Sequence, residues 1–103
     1  MANTESVVIT ASFQPTNGNE LQVQTLLHDH LSNIAYLQGA SWVGTYLQKN
    51  TTTYVTTTQF PNIESLNLFL SSNEHEKIVK QITSLCKSVV MEEILEVIKE
   101  EAA

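Results

Sequence analysis

A chain of 103 residues is long enough to bury one hydrophobic core and too short for two, so a single domain spanning 1–103 is expected, with its core over about residues 5–98. Apolar residues make up 42% and charged residues 16%, which excludes the disordered class, and no apolar run approaches the roughly 18 residues that span a bilayer. The net charge of −6 comes from eleven acids against five lysines with no arginine, so neither nucleic acid nor a membrane is an expected partner.

The opening segment, Met1 to Ser6, has no basic stretch followed by an apolar one, and a cytoplasmic location is expected. Glu5 to Phe13 is rich in β-branched residues, with Val7, Ile9, Ala11 and Phe13 on one side and Val8, Thr10 and Ser12 on the other, which predicts a strand. Gln14 to Gly18 reads as a turn. Val23, Leu26, Leu27, Ile34 and Leu37 then recur at helical spacing, predicting a helix from about Glu20 to Leu37 that stops before Gly39. Ser41 to Lys49 and Thr52 to Phe60 read as a hairpin closed by Lys49-Asn50-Thr51. The triplet Asn50-Thr51-Thr52 matches a glycosylation sequon, discounted for want of a secretion signal.

Beyond Pro61-Asn62, Ile63, Leu66, Phe69 and Leu70 suit a short helix. Ser71-Ser72-Asn73 interrupts it, and Ile78, Val79, Ile82, Leu85 and Cys86 resume the helical period. In the last segment Met91, Ile94, Leu95 and Ile98 fit a helix, while Val89-Val90 and the alternation through Met91, Glu93, Leu95 and Val97 fit a strand. The strand is preferred, because it completes β-α-β-β-α-β, an α+β fold with an antiparallel sheet and both helices on one face. Cys86, the one cysteine, reads as a small buried hydrophobe. The acids Glu92, Glu93, Glu96, Glu100 and Glu101 read as a solvated face and terminus.

In this order, the opening V-V-I-T-A-S-F, the helix ending at Gly39 before Trp42, the hairpin strand T-Y-V-T-T-T-Q-F and the helix-starting S-S-N-E-H make the chain resemble the antibiotic biosynthesis monooxygenase family over Val7 to Ile98. The resemblance implies a ferredoxin-like, dimeric α+β barrel: a homodimer whose two sheets face each other, with helices outside and a pocket between helices and sheet in each subunit. It also implies oxidation of a small aromatic or phenolic molecule without flavin or metal, so no cofactor is expected. The sequence departs from the family pattern where many members close the third strand with glutamate and tryptophan. Thr58 and Phe60 stand there instead. Phe69 or Leu70 stands where the haem-degrading branch has a histidine, and the arginine of the phenol-oxidising members has no counterpart.

The histidines are the candidate bases. His28 and His30 cannot share a metal, because residues two apart on a helix diverge by about 200°. His30 falls within the apolar stripe of the first helix and His28 toward solvent. His75 follows Asn73, a candidate cap with Glu76 closing the box, and shares a face with Ile78, Val79 and Ile82. An inward imidazole at a helix start is disfavoured in its charged form, which suits a general base. A residue that merely begins the helix is the plainer alternative. Trp42 and Tyr46 on one strand, with Tyr54, Thr56 and Thr58 on the next, are expected to frame an aromatic pocket with polar points, joined by Phe60 and Phe69. Two functions follow: a cofactor-independent monooxygenase-like enzyme with His75 or His30 as base, or a noncatalytic dimeric barrel that binds a small molecule or serves a structural role.

Overall fold

The computed structural model describes residues 6–96, and within the last strand side chains are described as far as Val90. The expected strand start at Glu5 and the acidic terminus with Val97, Ile98, Glu100 and Glu101 lie outside the described residues. Four strands form one sheet in the order β2-β3-β1-β4: β1 is Val7–Pro15, β2 Trp42–Leu47, β3 Tyr54–Phe60 and β4 Cys86–Glu96. All adjacent pairs are antiparallel. β1 and β2 therefore run parallel with β3 between them, the split arrangement that the element order predicts. The final segment is a strand, and its pairing with β1 carries a bulge opposite Thr10 and Ser12.

The hairpin turn is closed by Gln48 N–H donating to the Thr53 carbonyl at 2.8 Å. Asn50 takes the left-handed conformation there, at φ 64°, which asparagine tolerates better than most residues. β2 is an edge strand. Its Val43 N–H donates to the Tyr36 hydroxyl at 3.1 Å rather than to a neighbouring strand.

One long helical element follows β1: α1 (Glu20–Thr25), a π-helical turn (Leu26–Leu31) and α2 (Ser32–Leu37). It ends where Gly39, at φ 98°, lets Ala40 N–H return to the Ala35 carbonyl at 2.9 Å. The π turn changes which residues reach the core. An i→i+5 turn advances each residue by less than the usual 100°, so the buried series runs Val23, Leu26, Leu27, Leu31 and Ala35. Leu37 is 77% exposed. His30, expected in the apolar stripe, is exposed for the same reason, and Leu31 takes the inward place.

α3 (Ile63–Ser71) and α4 (Asn73–Ser84) are two helices broken at Ser72. Asn62 caps α3, its Oδ1 accepting from Ser65 N–H at 2.9 Å. The cap of α4 is Ser72 rather than Asn73, with Ser72 Oγ accepting from His75 N–H at 3.1 Å. Asn73 is the first helical residue. Ser72 is extended, at ψ 147°, and so holds the non-helical geometry a cap requires. Among the described helices none is long and apolar enough to cross a membrane.

The helices cover one face of the sheet. Val7, Ile9 and Phe13 of β1 and Tyr54, Thr56, Thr58 and Phe60 of β3 point under them, against Val23, Leu27, Leu66, Phe69, Ile78 and Ile82. The opposite face carries Val8, Val55, Thr57 and the ring pair Trp42 and Tyr46. These two faces decide what can become a site.

The cap assignment makes a prediction about stability. Ser72→Ala is expected to destabilise the protein by about 1 kcal/mol, whereas Asn73→Ala is expected to stay within about 0.5 kcal/mol of the parent. Urea unfolding followed by circular dichroism reads both.

Candidate functional site

The helix start at α4 places His75 in the third helical position, with its own N–H already satisfied by Ser72. The ring is half-buried and meets the edge of Phe69, with centroids 4.5 Å apart and planes at 66°. Phe69 comes from the last turn of α3, so the break at Ser72 lets two consecutive helices present adjacent residues to one point. Phe60 packs behind Phe69 at 5.2 Å and is fully buried, forming the wall's backing rather than its surface.

Together His75 and Phe69 border a small cavity between helices and sheet, whose other walls include Phe13, Leu31, Thr56 and Thr58. The space measures about 20 Å³, and one water needs roughly 10–15 Å³ on that measure. The lining is mostly apolar, but two threonine hydroxyls and an imidazole face the same region. Thr56 and Thr58 are 5% and 4% exposed. No buried side-chain nitrogen or oxygen among the described residues lacks a hydrogen-bond partner. The arrangement is chemically simple: an imidazole able to exchange a proton, hydroxyls able to donate or accept, and aromatic and aliphatic walls that exclude water.

The expected pocket is thus only partly assembled. His75, Thr58 and Phe69 come together, with Phe60 one layer behind. Trp42 and Tyr46 do not join them. Their strand pairs with β3 so that Trp42 opposes Gln59 and Tyr46 opposes Val55, which puts both rings on the sheet face away from Tyr54, Thr56 and Thr58. There they lie 6.4 Å apart across Gly44, where an added methyl group would collide with the Trp42 ring and lie 2.7 Å from the Tyr46 hydroxyl. Tyr54 faces the helices but is drawn to α1, donating its hydroxyl to Gln24 Oε1 at 3.2 Å. His30 is exposed on the π turn and away from this cavity. Sequence reasoning missed Phe13, Leu31 and Val79 as wall residues. The signal for Phe13 was present in the alternation of β1, whereas Leu31 is brought inward by the π turn.

Among the described residues no three His, Cys, Asp or Glu side chains are grouped as a metal site. His28 and His30 diverge, and His28 Nδ1 instead meets Asp29 Oδ1 at 2.8 Å. Cys86, part-buried at the start of β4, has its thiol pKa pushed up by burial, away from the reactive thiolate.

No protein-family model matches the chain, and no curated protein does. Solved structures match over nearly its whole length. A candidate antibiotic biosynthesis monooxygenase from Caulobacter crescentus CB15 superposes with a TM-score of 0.81 at 9% identity, covering 94% of this chain and 93% of that one. Rv0793 from Mycobacterium tuberculosis gives 0.79 at 16% identity, covering 94% and 99%. A candidate antibiotic biosynthesis monooxygenase from Chloroflexus aurantiacus J-10-fl gives 0.74 at 12% identity, covering 94% and 97%. At such identities the likeness is one of backbone architecture. The chain has the ferredoxin-like α+β fold found in antibiotic biosynthesis monooxygenase-like proteins.

Proposed function

We propose that the protein is a cofactor-independent monooxygenase-like enzyme that acts, as a homodimer, on a small aromatic or phenolic molecule in the cavity between helices and sheet. The observation that carries this reading is the position of His75: a half-buried imidazole held at a helix start, edge-on to Phe69, on the wall of an apolar cavity that also carries Thr56 and Thr58. An imidazole is the side chain most often used to accept a proton from a bound hydroxyl.

In this reading His75 takes the hydroxyl proton of a bound phenol. The electron-rich anion transfers an electron to dioxygen, and recombination forms a carbon–oxygen bond. The resulting hydroperoxide loses water, so that one phenol and one dioxygen give one quinone and one water. The chain's own part is to bind the ring between apolar walls, exclude bulk water and hold the proton.

The cavity's size supports a second reading. At about 20 Å³ it admits a water-sized molecule, and a phenol requires its side-chain walls to part. A noncatalytic barrel that binds something small, or serves a structural role, needs no such opening.

The homodimer is supported by the open face of the sheet. Val8, Trp42, Tyr46, Val55, Thr57 and Val90 lie on it by strand register. Trp42 is 43%, Tyr46 50% and Val90 63% exposed. A face with exposed aromatic and branched side chains is what a self-association surface offers.

Two experiments test these readings. Oxygen uptake with quinol substrates, without added metal or flavin, is expected to fall at least about 100-fold in His75→Ala and in the bulkier His75→Gln. Turnover unchanged in both removes His75 from the chemistry. Ligand-dependent thermal stabilisation with no oxygen uptake in the parent supports the binding reading instead. Separately, light scattering at micromolar concentration is expected to give twice the chain mass, and Val55→Lys on the open face is expected to shift it toward the monomer. A parent that is monomeric rules out the barrel.

A further inference from the structure

A second concavity lies on the same side of the molecule as α1 but shares no residue with the His75 cavity. It is bordered by Gln24 and His28 of the first helical element, Thr45, Tyr46 and Leu47 of β2, and Tyr54 of β3, and measures about 240 Å³. It is roomy where the other is tight. Two of its polar groups are already oriented. The Asp29 carboxylate can only accept, so at 2.8 Å it takes the Nδ1 proton of His28 and leaves Nε2 as the ring nitrogen open to a ligand. The Tyr54 hydroxyl donates to Gln24 Oε1, which leaves the carboxamide NH₂ as the donor that Gln24 can offer. His28 belongs to the π turn, and such turns are frequent at functional sites because they set side chains out of the regular helical register.

We propose that this cleft is a second ligand site, for a small uncharged hydroxyaromatic molecule. The ligand's hydroxyl hydrogen-bonds to His28 Nε2, a ligand oxygen accepts from the Gln24 amide, and the ring lies against Leu47 and Tyr54. The absence of Lys among the six bordering residues, with Asp29 beside them, disfavours an anion. Asp29 acts as a positioning residue, fixing which nitrogen of His28 meets the ligand.

Resorcinol is a suitable probe, since each of its hydroxyls can donate and accept. The chain has three histidines, so their side-chain resonances can be assigned by substitution and followed during titration. The His28 signals are expected to move and saturate with a midpoint of about 1 mM. Gln24→Leu, at an exposed position where the fold should tolerate it, is expected to raise that midpoint about tenfold. His28 signals that stay in place up to about ten times the expected midpoint overturn the proposal. So does movement confined to His75, or an unchanged midpoint in Gln24→Leu. Because His75 is read in the same spectra, failure here leaves the reading of the helix–sheet cavity to its own experiment.

Discussion

Strand β3 is paired on both sides, to β2 and to β1, and its pleat allots every neighbouring residue to one of two surfaces. Tyr54, Thr56, Thr58 and Phe60 fall under the helices, and Val55, Thr57 and Gln59 on the other face. A slip of one residue would exchange the two sets. The core, the cavity beside His75 and the open face proposed for dimerisation all depend on that single register. Phe60 is its anchor: fully buried and ring-packed on Phe69, it fits only in the observed phase.

The helical layer adds the second constraint. A continuous helix from Ile63 to Ser84 would carry Phe69 and His75 along one axis. The break at Ser72 lets α3 and α4 take separate directions while Ser72 satisfies the amide that the new helix start exposes. Phe69 and His75 are six residues apart in sequence and in ring contact in space. The serine thus has two tasks, ending one helix and fixing the backbone of the histidine in the next.

Most of the fold was legible in the sequence because each sheet element carries its own signal. β1 alternates cleanly, Lys49-Asn50-Thr51 marks the hairpin, and Gly39 ends the long helix. The last strand was decided by topology, since its periodicity fits both helix and strand. The candidate site was legible only in part, and each failure has a local physical cause. The inward expectation for His30 assumed regular α-helical steps, and a π turn has no evident mark in L-L-H-D-H-L. Trp42 and Tyr46 were grouped with Tyr54 and Thr58 because all lie on one hairpin. Which residues oppose each other is fixed by register, and the even-numbered positions of β2 sit on the opposite face from those of β3. Ser72 and Asn73 are both good caps, and only the backbone angle at Ser72 separates them. His75 itself was read as inward from helical spacing, and that reading survived because α4 is regular.

The hydrogen bond from Val43 to the Tyr36 hydroxyl has a consequence for solubility. An edge strand offers outward amides and carbonyls to any passing chain, and stacking through them is how sheets grow into fibres. With Val43 already committed to a phenol anchored in α2, an incoming strand must break that bond before it can pair along the start of β2. Edge-to-edge growth of the sheet, which has no natural end, is thereby opposed at the start of β2.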